Sequence, residues 1–429
     1  PLLVAGLILV PWVAAAEVGQ GCTPFEFVDV TQEAGVQFLH ESGAVGEKHL
    51  VETMGGGLAW FDYDNDGWMD LYLVQSGPFP PDESEAAENR LFRNLEGRGF
   101  EDVTGRTGTA DRGCGQGVLA GDVDGDGYVD LYVTNFGQDV LLRNDSSGGF
   151  EDRTTELGLG LDGWSSSAAL ADADGDLDLD VYVTRYVEYD AEADIFCGDP
   201  NTGEKRYCDP SIYVGAGDRF YRNQGEGRFV EDSERAGILP ADGRGLGVVF
   251  TDLDEDRAPD LYVANDLNIN LLFHNRGDGT FEDQSLFSGI GVNRDGRPEA
   301  GMGLTIGDID GDLDPDLAVT NFDVETNTLY RNLGEMSFED VSSASGFGLP
   351  SFNQLAFGIA AVDLDQDGDL DFYISNGHIF EQPKRDNVSF RQRDQVLIGD
   401  GSGRFSELRC QQLDDLRTVG RGLAVADYD

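Results

Sequence analysis

Basic residues are scarce in this chain of 429 residues, which has 29 Lys and Arg against 82 Asp and Glu. Only three of them are lysines, Lys48, Lys205 and Lys384. The formal net charge of −53 argues against nucleic acid and anionic membranes as partners, because both need clustered Lys and Arg. The charge does not exclude cations, basic proteins or neutral sugars as partners. Adaptation to high salt would explain acidity in general, but not aspartates that fall in register.

Long apolar segments are equally rare, and the one that stands out is LLVAGLILVPWVAAA at residues 2–16. Its end, Ala14-Ala15-Ala16, is typical of a secretory signal peptide, and the run is short for a membrane span. We therefore expect residues 1–16 to be the remnant of a signal peptide, with a membrane anchor as the alternative. The mature chain is expected to be secreted or periplasmic, without membrane insertion.

Cysteine is limited to five residues, which is typical of an exported protein with few disulfides. Cys197 and Cys208 lie in one polar insertion, DIFCGDPNTGEKRYCDP, and we predict that they pair with each other. Cys22 and Cys410 occupy similar points relative to the repeats described below and are a possible second pair. Free or separately buried thiols are equally open for these two and for Cys114.

What the chain has in abundance is Asp and Gly, and they recur in a repeat. A short apolar segment is followed by an Asp-x-Asp-x-Asp loop, a strand-like run such as LYVTN, a second run ending in Arg-Asn, and a closing segment such as FEDVT. Six complete copies of the loop begin at Asp62, Asp122, Asp172, Asp252, Asp308 and Asp363, and Asp427 starts a seventh. Self-similarity of this length indicates a solenoid or a propeller.

The segments of each repeat are short, alternate apolar and polar residues, and are bounded by Gly, Asn and Asp, which predicts β-strands. Four strands per repeat are typical of a propeller blade. Residues 24–36 match the closing strand of a repeat, so the N-terminal strand would complete the last blade. We predict an all-β, seven-bladed propeller over residues 51–429, with six complete blades. Residues 17–50 would carry the ring-closing strand, and the seventh blade would be cut short.

The loops are predicted to bind calcium, one ion per loop at most. Calcium takes about 6–8 oxygen ligands, and alternate carboxylates on a curled loop can point at one centre. The loops contain no thiolate or imidazole, which argues against zinc and copper. Polar turns without metal are the alternative, because Asp and Asn favour turns. Six copies before the same strand, with no basic residue in the loops except Arg257, favour the metal.

The predicted ligands share fixed positions in the loops. Position 1 is Asp62, Asp122, Asp172, Asp252, Asp308 and Asp363, and position 3 is Asp64, Asp124, Asp174, Asp254, Asp310 and Asp365. Position 5 is Asp66, Asp126, Asp176, Asp256, Asp312 and Asp367, and position 9 is Asp70, Asp130, Asp180, Asp260, Asp316 and Asp371. Position 7 would contribute a backbone carbonyl at Trp68 and Tyr128, and is acidic at Asp178, Asp314 and Asp369.

The loops are not equivalent in sequence. Position 6 is Gly67, Gly127 and Gly368 in three copies, but Leu177, Arg257 and Leu313 in the others. If this position needs a positive φ, the three non-glycine residues are strained. The copy at Asp252 departs furthest from the pattern, with Arg257, Ala258 and Pro259, and we predict that it is the weakest site.

The loops and their preceding segments, such as GVLAGDVD and AFGIAAVDLD, resemble the FG-GAP or VCBS repeats of integrin α-chain propellers. The opening FVDVTQEAGVQFLHESG and the SNGHI motif at 375–379 resemble more narrowly the cartilage acidic protein group, which is associated with the ASPIC/UnbV domain. The resemblance covers roughly residues 24–429. It implies a seven-bladed calcium-binding propeller outside the cell or in the periplasm, followed in many members by an ASPIC/UnbV domain.

Catalytic motifs such as HExxH, GxSxG and a P-loop are absent from the sequence. The histidines His40, His49 and His378 are read as turn or packing residues. The recurring Asn135, Asn265, Asn321 and Asn376 are read as turn residues, and Tyr72, Tyr132, Tyr182 and Tyr262 as core. The sequence thus favours a binding module for an extracellular protein or glycan over the alternative, a carbohydrate-active enzyme resembling polysaccharide lyases.

Overall fold

Six antiparallel four-stranded sheets make up the fold in a computed structural model that describes residues 25–44, 46–77, 79, 87–193, 195–238, 243–381 and 388–429. The strands of each sheet are ordered as in the chain, and from the first sheet to the sixth the first strand of each contacts the first strand of the sheet that follows it. The first strands therefore surround a common axis. We call the sheets blades 1 to 6.

The strand bounds follow the repeat. Blade 1 consists of Leu58–Phe61, Asp70–Leu73, Arg90–Asn94 and Phe100–Asp102, and blade 2 of Cys114–Gly121, Asp130–Phe136, Val140–Asn144 and Phe150–Asp152. Blade 3 consists of Ser165–Ala171, Asp180–Arg185, Arg219–Asn223 and Phe229–Glu231, and blade 4 of Gly245–Thr251, Asp260–Asn265, Leu271–Asn275 and Phe281–Asp283. Blade 5 consists of Leu304–Gly307, Asp316–Val319, Thr328–Asn332 and Phe338–Asp340, and blade 6 of Ala356–Val362, Asp371–Asn376, Gln395–Gly399 and Phe405–Glu407.

The other elements are short. The insertion in blade 3 carries a hairpin of Gly198–Asp199 and Glu204–Lys205. The α-helices are Thr104–Thr107, Thr154–Leu157, Ser233–Ala236, Ser342–Ser345 and Gln411–Asp415, and the 3-10 helices are Leu50–Thr53, Pro210–Ile212 and Leu349–Ser351. The first four α-helices follow the outer strands of blades 1, 2, 3 and 5.

The hydrophobic core is divided among the interfaces between blades. Successive side chains of a strand point to opposite faces of its sheet, so the second strand of each blade serves two interfaces. In blade 2, Leu131 and Val133 pack against Tyr72 of blade 1, whereas Tyr132 packs against Val181 of blade 3. Tyr182 and Tyr262 repeat this arrangement, which confirms the recurring tyrosines as core residues.

A buried Asp or Asn just before the third strand ties each blade together. These residues are Asn89, Asp139, Asp218, Asn270, Asn327 and Asp394. Each accepts a hydrogen bond from a backbone N–H at the end of the second strand, over 2.6 to 3.0 Å. In blades 2, 3 and 6 it also accepts one from the core tyrosine hydroxyl, at 2.8 Å. The carboxylates are thus buried but fully hydrogen-bonded.

The prediction of seven blades is wrong, because the described residues form six four-stranded sheets. Residues 421–429 lie between blades 6 and 1 without forming a strand, and residues 25–36, predicted to contain the ring-closing strand, form none either. A blade needs four strands, whereas these two segments would supply only the first and the last, so they have no middle strands to pair with and form no sheet. Both segments instead fill the space between blades 6 and 1 with side chains. Ala34, Val36 and Tyr428 pack against blade 1, and Phe25 packs against Tyr373 of blade 6.

Candidate metal-binding loops

An acidic loop joins the first and second strands of every blade. Because the first strands surround one axis in the same direction, the six loops lie on one face of the molecule. We number them 1 to 6 with their blades and call this the loop face. The opposite face carries the insertion of blade 3 and the segments that enter the first strands.

The position-1 aspartate organises each loop through its own backbone. In loop 2, Oδ1 of Asp122 accepts the N–H of Asp126 at 3.1 Å, and Oδ2 accepts the N–H of Gly127 at 2.8 Å. The same two bonds occur in the other five loops, over 2.8 to 3.1 Å. This curls the chain so that positions 3 and 5 come close to position 1.

Position 6 has a positive φ in all six loops, which is the condition under which strain was expected at the non-glycine residues. The angle is 89° at Gly67 and Gly127 and 98° at Gly368. The three loops without glycine keep the same backbone, with φ of 75° at Leu177, 76° at Arg257 and 78° at Leu313. A left-handed conformation costs an L-residue roughly 1–2 kcal/mol, so these loops are strained where the others are not.

The position-9 aspartates are the most buried carboxylates of the loops. Oδ2 of Asp130 accepts the N–H of Val123 at 3.0 Å, and its Oδ1 accepts the N–H of Asn144 on the third strand at 2.7 Å. All six loops have this pair of bonds. Burial raises the pKa of Asp70, Asp130 and Asp316 to about 7, against the opposing effect of the backbone N–H groups. Position 9 therefore has a structural role as well as the predicted ligand role.

Carboxylate oxygens converge in the loops. Oxygens of Asp62, Asp64 and Asp66 lie within 4.8 Å of one another, and those of positions 1, 3 and 5 do the same in loops 3 and 4. In loop 2 the set is Asp122, Asp124 and Asp130, which adds position 9. The predicted ligands are thus brought together, and such clusters could hold a metal ion.

Position 3 supplies a direct test of whether a cation fits. Oδ1 of Asp64, Asp174, Asp310 and Asp365 is buried and has no hydrogen-bond partner. An unpaired buried acceptor costs roughly 1–3 kcal/mol, and more when it is charged. A hard cation at the centre of the loop would satisfy this oxygen, so the donor set fits a metal such as calcium.

Basic side chains of the third strands contact the loops, and these contacts were not predicted from the sequence. Nε of Arg93 donates to Oδ2 of Asp64 at 2.6 Å, and Arg143 pairs in the same way with Asp124. The equivalent residues are Arg222 in blade 3, His274 in blade 4 and Arg331 in blade 5. The view that only Arg257 could relieve the acidic loops was therefore wrong, because it considered neighbours in sequence alone. The arginine of the recurring Arg-Asn motif was the sequence feature that could have indicated these contacts.

Loop 6 differs in this respect. Its third strand reads QVLIG, so Ile398 stands where the other blades have Arg or His. Asp365 also has Asp369 two residues beyond Asp367, which adds negative charge to the loop. The pKa of Asp365 is raised by desolvation and by the charge of Asp367. Loop 6 thus has five aspartates, as loops 3 and 5 do, but no Arg or His from its third strand, so it is the least neutralised of the six loops.

Position 7 contributes its backbone N–H to the loop. Trp68 donates to Oδ1 of Asp66 at 3.0 Å and Tyr128 to Oδ1 of Asp126 at 2.9 Å, and Asp178, Asp314 and Asp369 form the same bond. Whether their carbonyls ligate a metal stays a prediction. The weak metal binding expected of loop 4 stays a prediction too. In this loop His274 lies 3.1 Å from Asp260 and 3.4 Å from Asp254.

The histidines His40, His49 and His378 lie on the opposite face. Nε2 of His40 accepts the N–H of Gly56 at 3.1 Å, and Nδ1 of His378 accepts that of Phe380 at 2.9 Å. Nδ1 of His49 lies 3.0 Å from the hydroxyl of Tyr189. These contacts are those of residues that hold turns and pack against neighbouring segments. The recurring asparagines act likewise, since the amides of Asn135, Asn265, Asn321 and Asn376 donate to turn carbonyls.

The blade 3 insertion is closed by the predicted disulfide between Cys197 and Cys208. It reaches back to the entry of blade 1, where Lys205 pairs with Glu47 at 2.7 Å and Tyr207 donates to Glu52 at 3.1 Å. Cys114 is a buried free thiol, and Cys410 is disulfide-bonded. Cys22 and residues 1–16 lie outside the described residues.

A ring of four-stranded blades, each with an acidic loop between its first two strands, defines a β-propeller of the acidic-loop class. The FG-GAP-like repeat family matches residues 62–133, 122–183, 252–319 and 308–374, which together are more than half of the chain. The chain therefore belongs to the FG-GAP-like repeat family.

The curated relatives are cartilage acidic proteins, as the sequence motifs suggested. Cartilage acidic protein 1 of Homo sapiens is 30% identical over 135 residues, which are 31% of this chain and 19% of the relative. The Mus musculus protein is 29% identical over 135 residues, 31% of this chain and 20% of that protein. The chain thus matches about a fifth of the length of these relatives.

Two lectins are among the similar solved structures. One, from Agrocybe aegerita, recognises non-reducing terminal N-acetylglucosamine; it has a TM-score of 0.44 and 17% identity, covering 83% of this chain and 80% of the lectin. The other is SapL1 in complex with α-methyl fucoside, with a TM-score of 0.40 and 12% identity, covering 83% and 95%. Separately, none of the helices in the described ranges is long and apolar enough to cross a membrane.

Proposed function

We propose that this protein is an exported, calcium-stabilised β-propeller that acts as an interaction module for an extracellular protein or glycan. The propeller would comprise residues 51–429, preceded by the segment 17–50 and the signal remnant 1–16. The Cys197–Cys208 disulfide supports export, because disulfides persist in oxidising compartments. The membership in the FG-GAP-like family supports an interaction role.

The observation that carries the calcium proposal is the orphaned position-3 oxygen repeated in four loops. A polar turn without metal would be expected to satisfy its own acceptors, as position 1 and position 9 do here. Clustered carboxylates and an unpaired inward oxygen together favour a hard divalent cation. Calcium is favoured over magnesium because the loop offers several carboxylate oxygens to one centre, whereas magnesium retains several waters.

The test is the thermal melt of the protein with and without calcium at constant ionic strength. A ligand that binds only the folded state stabilises it by about 2.7 kcal/mol per site at a hundredfold excess over Kd. We expect EGTA to lower the Tm by many degrees, calcium to restore it, and magnesium to restore it less. Isothermal titration of the stripped protein would count the ions.

Sodium chloride at the same ionic strength is the control, because it screens repulsion without binding a defined site. If EGTA left the melt unchanged while salt alone shifted it, the acidic loops would be an adaptation to salt and the proposal would fail. No observation in the described part of the chain favours a carbohydrate-active enzyme, so we propose one function.

A further inference from the structure

The central axis of the propeller contains a cavity of about 290 Å³ whose lining repeats around the ring. Each repeat contributes one equivalent residue to the lining, and this residue lies six positions before the first aspartate of the repeat. In chain order they are Gly56, Gln116, Ser166, Leu246, Met302, Phe357 and Arg421. Arg421 bears the same relation to Asp427, and it is the one charged residue in the lining.

Arg421 is buried without a carboxylate partner. It is 8% exposed, and none of the described acidic groups forms an ion pair with it. Nε donates to the carbonyl of Thr53 at 2.9 Å, and Nη1 donates to the carbonyls of Gly377 and Gly420 at 3.0 and 2.7 Å. The guanidinium also lies 4.1 Å from the ring centroid of Phe357. These contacts position the side chain but do not neutralise its charge.

One edge of the guanidinium has no hydrogen-bond acceptor in the described part of the chain. Among the described residues none accepts a hydrogen bond from Nη2, which belongs to a side chain that lines the cavity. His40 nearby is neutral, because burial and the charge of Arg421 lower its pKa to about 4. Arg421 is therefore the single charged side chain among the residues that line the cavity.

The chain makes room for this arginine. A Cβ on Gly55 would lie 2.2 Å from Cγ of Arg421, so only glycine fits beside the aliphatic part of the arginine side chain. Burying an unpaired charge costs several kcal/mol after relaxation. A protein with 82 acidic residues places none of the described ones against this cation. This arrangement is costly unless an external anion completes it.

Long-range repulsion does not prevent an anion from binding here. The acidic loops begin six residues further along the first strands, which is roughly 20 Å at about 3.3 Å per residue. The Debye length is about 8 Å at physiological ionic strength, so the loop charges are screened at that distance. Bound calcium would neutralise them further.

We propose that the cavity beside Arg421 is an oxyanion subsite that takes one carboxylate or sulfate group of a ligand. It rests on the proposed function, since it names the chemistry that the interaction module would recognise. Arginine suits this role because its planar fork matches carboxylate and sulfate geometry. The Leu246, Met302 and Phe357 side chains would contact the uncharged body of the ligand.

The test is a titration of the calcium-loaded full chain with methyl glucuronide and with sodium sulfate, at constant ionic strength. Methyl glucoside, which has the same ring without the carboxylate, is the matched neutral probe. We expect binding of the glucuronide and of sulfate, and at least tenfold weaker binding of the glucoside. In Arg421→Gln the glucuronide affinity should fall at least tenfold, and Arg421→Lys should retain part of it.

Arg421 also holds backbone carbonyls, so its variants could unfold the ring. Leu246→Glu places a competing carboxylate in the same cavity while leaving Arg421 in place, and Leu246→Gln is its control. We expect only the glutamate variant to lose the glucuronide, with the Tm of both near that of the wild type. The inference is overturned if the wild type binds neither anion at millimolar concentration, if glucoside binds equally well, or if Leu246→Glu binds as before. The calcium melt is independent of these results, so the two proposals fail separately.

Discussion

Replacing the position-3 aspartate of loop 6 should change stability in opposite directions with and without calcium. Oδ1 of Asp365 is buried without a partner, and desolvation, followed by the charges of Asp367 and Asp363, raises the pKa of Asp365. Two unit charges about 4 Å apart repel by about 1 kcal/mol in a water-like dielectric. Because the loop is largely solvent-exposed, we use this screened value. Asp365→Asn should therefore stabilise the metal-free protein by about 1–2 kcal/mol.

In calcium the same substitution should destabilise the protein. It removes a charged ligand, and a site saturated a hundredfold is worth about 2.7 kcal/mol. The loss should approach that value, which corresponds to a Tm decrease of a few degrees for a protein of this size. The assay is a pair of melts for each variant, one in EGTA and one in calcium.

Asp64→Asn in loop 1 is the matched control. Asp64 occupies the same position, but Arg93 donates to it and to Asp66, each at 2.6 Å, so the substitution removes one of the two carboxylates that pair with this cation. It should give no gain in EGTA and a similar loss in calcium. If Asp365→Asn lowered the Tm equally in both conditions, the carboxylate would be purely structural and the reasoning from its orphaned oxygen would be refuted.

Two further pairs of substitutions test the geometry of the blades and of the loops. Burial raises the pKa of Asp139 from 3.8 to about 7, so the stability that its protonated form contributes is lost as pH rises through about 7. The stability of the wild type should therefore fall with rising pH by up to about 1.4 kcal/mol per pH unit until pH 7 is reached. In melts between pH 4 and 8, Asp139→Asn should remove this pH dependence and Asn270→Asp should introduce one. Unchanged pH dependence in both variants would contradict the assignment. Leu177→Gly should relieve a strained φ and stabilise by up to about 1 kcal/mol, whereas Gly127→Leu should destabilise; shifts of the same sign would contradict it.

Much of the loop chemistry was readable in the sequence because it is local. The Asp-x-Asp-x-Asp pattern determines which carboxylates curl together, since the position-1 aspartate bonds to the backbone only four and five residues away. The same locality predicted the Cys197–Cys208 bond, whose partners are 11 residues apart, and identified position 6 as the place where a positive φ would strain a non-glycine residue. Strand periodicity predicted the tyrosine core, because alternation assigns each side chain to one face.

The tertiary structure decided what depends on distant parts of the chain. The arginines that meet loops 1, 2, 3 and 5 come from the third strand, between 19 and 48 residues away in loops 1 to 3, and no local pattern pairs them with a carboxylate. The number of blades was also misjudged, because a repeat signal counts motifs whereas a sheet needs all its strands. Arg421 shows the same limit: in sequence it precedes a fragment of a repeat, and only the closed ring reveals a buried cation without a carboxylate.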